Sequence, residues 1–111
     1  MGIPQDTQEK LKEFGEAIRT ARLAQQISLR QFAQVVELSP SYYSKVERGE
    51  ALAGSETYEL ICNKLGLDAK LFLPKIGLID TETRRLFEEH YRANTEELTG
   101  FLRKMSEKRQ P

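Results

Sequence analysis

One stretch constrains the fold of this chain more than any other: SLRQFAQVVELSPSYYSKVERG, residues 28–49. Its first part carries Leu29, Phe32, Ala33 and Val36 at i, i+3, i+4 and i+7, the spacing that lines up one buried face of a helix. Ser28 stands before that run with Gln31 three residues on. In that pattern two side chains cap the backbone amides of a helix start reciprocally. Glu37 and Leu38 interrupt the period, and Ser39-Pro40 restarts it. Serine accepts from the orphan amides of a new helix, and proline suits a first helical position that has no donor to lose. The second helix is expected to bury Tyr43 and Val46. It stops at Gly49, where glycine can take the left-handed conformation most residues resist. Two short helices, a tight connection and an outward polar set describe a helix-turn-helix.

The segment SPSYYSKVERG is similar to the recognition-helix region of the Cro/phage-repressor type of helix-turn-helix, the XRE family. The resemblance covers residues 14–72, through FGEAIRTARLAQQIS, SLRQFAQVV, SPSYYSKVERG and ETYELICNKLGLD in that order. It implies an all-α fold, a five-helix lambda-repressor-like DNA-binding domain, followed here by a C-terminal helical extension. It also implies which side chains meet DNA. The outward face near the start of the recognition helix reads bases, and position by position that face is Pro40, Ser41, Tyr42 and Lys45. Lysine can donate to guanine O6 or N7, and serine can bond a base edge. Backbone contacts fall to Ser28, Arg30 and Gln31 at the start of the preceding helix, with Ser39 and Ser44. Arg22 and Glu47 match a salt-bridged pair tying the first helix to the end of the recognition helix, a task suited to arginine's planar fork.

Three positions depart from the family's habit. Pro40 replaces a polar residue, Leu29 stands where a glutamine is common, and the loop after Gly49 reads Glu50-Ala-Leu-Ala instead of a basic run. Charge is even as well. Lys plus Arg and Asp plus Glu number 17 each, and residues 14–74 hold seven of either sign. DNA affinity depends on neutralising phosphates, so the balance supports a second reading: a protein-interaction adaptor that keeps the helix-turn-helix fold without binding DNA.

At 111 residues the chain suits one domain with an extension. No apolar run approaches the ~18 residues of a membrane helix, and no basic-then-apolar start marks a secretory signal. These features predict a cytoplasmic protein with no membrane partner. Cys62 is the single cysteine, which excludes an internal disulfide and a cysteine-cluster metal site. On the apolar side of its helix it reads as a small buried hydrophobe. His90, the single histidine, has no Cys or His companion nearby. No nucleophile-base pair or glycine-rich phosphate loop occurs, so neither enzyme activity, metal nor cofactor is expected.

Along the chain, residues 1–8 read as a flexible arm and 9–76 as the DNA-binding domain. A first helix over 9–25 carries Leu11, Phe14, Ile18, Ala21 and Ala24. Leu52 is the expected inward anchor of the connector after Gly49. A fourth helix from Ser55 carries Tyr58, Ile61, Cys62 and Leu65, and a short fifth from Asp68 supplies Leu71 and Phe72. Residues 77–111 form the extension, read as two helices. Asp80 or Thr81 caps the first, and Asn94 with Glu97 caps the second. Leu86, Phe87, Tyr91, Leu98, Phe101, Leu102 and Met105 make the extension the expected dimerisation element, the alternative being that it folds back over the first and fifth helices of its own chain.

The resemblance therefore implies a sequence-specific transcriptional regulator. It is expected to repress by binding a two-fold symmetric operator in double-stranded DNA as a homodimer. A further protein partner is left open.

Overall fold

The computed structural model describes residues 2–109; residues 1, 110 and 111, which end the expected arm and extension, lie outside the described residues. All regular elements described are helical: α1 (Gln5–Ala24), α2 (Leu29–Val35), α3 (Pro40–Glu47), α4 (Ser55–Leu65), α5 (Ala69–Phe72), a 3-10 turn (Leu73–Ile76) and α6 (Thr81–Arg109). The chain divides into two compact units, Met1–Asp80 and Thr81–Pro111. No described helix is long and apolar enough to cross a membrane.

The first unit encloses one core. Leu11, Phe14 and Ile18 from α1 meet Phe32, Ala33 and Val36 of the α2 segment, Tyr43 and Val46 of α3, and Tyr58, Ile61, Cys62 and Leu65 of α4. Phe14 sits at the centre of an aromatic group, stacked on Phe72 at 4.9 Å and tilted against Tyr58 at 5.0 Å. Phe32 and Tyr43, 5.3 Å apart, fasten α2 to α3. Such ring pairs contribute beyond the apolar area they bury. They hold the two short helices at a fixed angle that neither could maintain alone.

Helix ends follow local chemistry. Ser28 and Gln31 form the reciprocal cap, with Gln31 N donating to Ser28 Oγ at 3.1 Å and Ser28 N to Gln31 Oε1 at 3.0 Å. Ser39 Oγ accepts from Tyr42 N at 3.1 Å, and Pro40 occupies the first turn of α3. Between these helices Glu37 takes a φ of 59°. A left-handed residue here reverses the chain within one turn, at a cost of about 1–2 kcal/mol for a residue bearing a Cβ.

Several expectations need correction. α1 begins at Gln5, so the second half of the arm expected over residues 1–8 is helical. Asp6 in the first turn suits the positive end of the helix dipole. Leu52 is exposed, and the inward residue of the connector is Ala53. Tyr58 explains the exchange: its hydroxyl accepts from Ala53 N at 3.2 Å and donates to Ala51 O at 3.4 Å. That anchorage turns the small residues inward and leaves Leu52 out. Leu71 is also exposed, while Leu73 and Ile76 of the 3-10 turn supply the core.

Among the described residues the second unit is one continuous helix, α6, of 29 residues, not two. Asn94 does not start a helix. Its Nδ2 donates back to His90 O at 2.9 Å, and Thr95 Oγ1 donates to Tyr91 O at 2.6 Å. Both polar side chains donate back to the preceding turn, and no proline interrupts residues 81–109.

Candidate nucleic-acid interface

α3 is only eight residues long, so its two sides are sharply divided. Tyr43 and Val46 are buried, whereas Pro40, Ser41, Tyr42 and Lys45 are exposed and Ser44 is half-buried. Ser41 and Lys45 are one turn apart on one outward face, with Tyr42 beside them. At the start of α2, Ser28, Arg30 and Gln31 are exposed, as is Ser39 before α3. Capping does not exhaust these side chains. Ser28 and Ser39 use an oxygen lone pair and keep a hydroxyl proton to donate, while Gln31 uses Oε1 and keeps Nε2.

The end of α3 is locked to α1. Arg22 Nε donates to Glu47 Oε2 at 2.7 Å, and Nη2 donates to Oε1 at 3.0 Å. Nη1 donates to Ile27 O at 2.8 Å, tying the same guanidinium to the loop before α2. The two side chains retain 6% and 4% of their exposure. Hydrogen bonding to Glu47 raises the Arg22 pKa despite the opposing effect of burial. Tyr43 lies beside this pair with its hydroxyl buried and without a hydrogen bond of ordinary geometry. Burial first, then the Glu47 carboxylate, pushes its ionisation well above the ordinary tyrosine range.

The pair forms the floor of a groove of about 510 Å³, walled by Lys12, Glu16 and Arg19 of α1, Leu29 of α2 and Ser44 of α3. Arg48 and Glu50, an exposed ion pair at 3.4 Å, also line it. Sequence reasoning passed over Lys12 and Arg19. Their signal was present as a polar stripe at positions 12, 16 and 19 flanking the apolar face, a spacing that keeps side chains together on a helix.

No described group of three or more His, Cys, Asp or Glu residues could hold a metal ion. Cys62 is buried, and burial with the nearby Asp68 and Glu59 carboxylates pushes its thiol up to about 11.

Residues 13–72 match the family described as "Helix-turn-helix domain". The chain belongs to this helix-turn-helix family. The match coincides closely with the resemblance over 14–72, and it spans α2 and α3 together with the elements that brace them. Among solved structures, two crystal structures of the clp gene regulator ClgR from Corynebacterium glutamicum are similar. One is 31% identical, covering 64% of this chain and 88% of that chain with a TM-score of 0.51. The other is 27% identical, covering 90% of this chain and 93% of that chain with a TM-score of 0.52. No curated protein matches. The matched domain and the two regulator structures together support a DNA-binding transcription regulator.

Proposed function

We propose that this helix-turn-helix protein is a cytoplasmic repressor that binds a two-fold symmetric operator as a homodimer. The observation that carries the reading is the division of α3: Tyr43 and Val46 buried, Ser41 and Lys45 exposed side by side. Lys45 reads a guanine edge and Ser41 a neighbouring base or phosphate. Tyr42 lies along sugar or thymine methyl surface, and Pro40 contributes van der Waals contact only. Arg30, with hydroxyl and amide donors from Ser28, Gln31, Ser39 and Ser44, binds the phosphates that set register. Arg22 and Glu47 touch no base; they hold the angle at which α3 enters the major groove. The mechanism needs neither catalytic group nor cofactor.

One recognition helix covers too few base pairs for useful specificity. Two copies related by a two-fold axis place two such helices about 34 Å apart on one face of the duplex. Residues Leu86, Phe87, Tyr91, Leu98, Phe101, Leu102 and Met105, exposed along α6, are the proposed dimerisation surface. An operator overlapping a promoter then excludes polymerase.

Equal numbers of acidic and basic residues favour a second reading, an adaptor that binds a protein partner instead of DNA. Selection from a random duplex pool, followed by a salt titration, separates the two. A two-fold symmetric site whose binding falls steeply with salt is expected, because phosphate contacts release counterions. No retained sequence even at low salt overturns the regulator in favour of the adaptor.

A further inference from the structure

Because α6 runs unbroken from Thr81 to Arg109, its side chains can be read in a single register. Phe87, Tyr91, Asn94, Leu98, Phe101 and Met105 follow one another at steps of four, three, four, three and four residues. That alternation is the 3.5-residue repeat of a two-stranded coiled coil, in which each residue inserts between residues of the facing helix. Treating the extension as two helices hides the pattern, since the break would fall at Asn94. Leu86 stands off the seam and Leu102 on its flank.

Resting on the homodimer reading above, we infer that α6 pairs in parallel and in register with α6 of a second copy, with Asn94 setting the register. The seam side chains are open to receive it: Phe87, Tyr91 and Phe101 are 64%, 63% and 60% exposed, Leu98 56% and Met105 41%. Covering them in both copies buries on the order of 1,000 Å², the scale at which a specific interface begins to hold. The helix is about 43 Å long at 1.5 Å per residue, enough for all six layers.

Asn94 decides orientation. Its bonds within the helix, to His90 O at 2.9 Å and to His90 Nε2 at 2.8 Å, both use Nδ2. Its Oδ1 therefore needs a donor once the seam closes over it. In the parallel, in-register pair Asn94 meets its own counterpart, and each amide can bond the other. In an antiparallel pair centred on the seam, Asn94 faces Leu98, and the amide oxygen is buried against hydrocarbon, which costs free energy. Asn94 lies one heptad from both Phe87 and Phe101, so a shift of one heptad sets it against a phenylalanine ring and leaves its amide oxygen without a donor. The chemistry of the seam thus selects a second copy of this chain over an unrelated apolar helix.

Cysteine pairing in the full-length protein tests the register. Phe101→Cys should form a disulfide-linked dimer under mild oxidation, while Glu96→Cys, on the opposite side of α6, should not. Buried Cys62 stays out of the reaction, as the unsubstituted protein will show. Leu98→Asp should weaken dimerisation at least 100-fold in sedimentation equilibrium. A crosslink that appears only when Tyr91→Cys and Phe101→Cys proteins are mixed means antiparallel pairing and overturns the inference. A Leu98→Asp protein that stays dimeric overturns the seam yet leaves the homodimeric regulator standing. An unsubstituted protein that is monomeric while bound to its operator overturns both.

Discussion

Gly15 on α1 lies directly against the backbone of Glu47, closer than any side chain permits. A Cβ built on Gly15 would collide with the carbonyl carbon and oxygen of Glu47 and with Val46 O. The contact draws α1 onto the last turn of α3 and brings Arg22 within reach of the Glu47 carboxylate two turns further along α1. In Gly15→Ala the helix gains about 1 kcal/mol of propensity, but overpacking against backbone costs about 1–3 kcal/mol or more. With backbone as the obstacle the clash prevails. A net loss of about 2 kcal/mol is expected, or roughly 10 °C in a domain of this size. Gly100→Ala serves as the control, because nothing lies within 4 Å of its added Cβ. A Gly15→Ala protein that melts with the parent removes the close approach from the account.

Removing Glu47 has a different consequence. Glu47→Ala leaves the Arg22 guanidinium buried and short of two of its three hydrogen bonds. Breaking a buried pair by deleting one partner costs about 3–5 kcal/mol, against under about 1 kcal/mol for an exposed pair. The 6% and 4% exposures put this pair in the first class. Chemical denaturation should show the loss, with operator affinity falling further because α3 is no longer held. A change under 1 kcal/mol would mean that water reaches Arg22 freely.

Alkaline pH should destabilise the fold. Cys62 is held up to about 11 from an ordinary 9.0, chiefly by burial. Burial likewise raises Tyr43 and Tyr58 above an ordinary 10.0. In each case the folded protein keeps a proton that the unfolded chain releases. Stability is fully present below about pH 9 and falls as pH rises through the folded pKa values. A urea midpoint measured from pH 8 to 11 should drop, and Cys62 should resist thiol reagents at pH 8 until denaturant is added. A flat midpoint would contradict the burial of all three groups.

The helix-turn-helix was legible because its signals are local. Caps at Ser28 and Ser39, the stop at Gly49 and the apolar spacing of Phe32, Ala33 and Val36 each act within one or two turns. The Arg22–Glu47 contact spans 25 residues, and only the resemblance to a family pointed to it. Other features gave no usable signal. Glu37 adopts a left-handed conformation without being glycine, so its residue type gives no notice of the turn. Leu52 and Leu71 yielded their inward places to Ala53, Leu73 and Ile76, since Tyr58 and the 3-10 turn decide which way the chain faces. Asn94 resembled a cap because sequence spacing alone cannot distinguish an amide that starts a helix from one bonded back to the previous turn.

Two substitutions test the proposed division between a base-reading face and a phosphate-binding face. Neither Lys45 nor Arg30 is buried, so replacing either should leave the fold intact. Lys45→Ala should relax preference at one position per half-site and cost about 1–3 kcal/mol there. Arg30→Ala should weaken all sequences alike and reduce the salt slope by about one. Parallel selections on the two proteins give both readouts. An unchanged sequence logo for Lys45→Ala would mean that the reading face lies elsewhere on α3.

Truncation tests the proposal that the extension joins two copies of this chain. The cut belongs after Asp80: Leu78 packs against the core, its amide donates to Leu73 O at 2.9 Å, and Asp80 is buried. Ending at Gly77 would remove these contacts and confound loss of the dimer with loss of the fold. The core of the first unit is drawn from residues 11–76, so the truncated chain should fold. By sedimentation it should be a monomer. Its operator binding should be weakened much more than its binding to a single half-site, because only the pairing of two recognition helices is lost. A truncated chain that stays dimeric would assign the interface to the helix-turn-helix unit. One that fails to fold would mean that α6 is needed within its own chain.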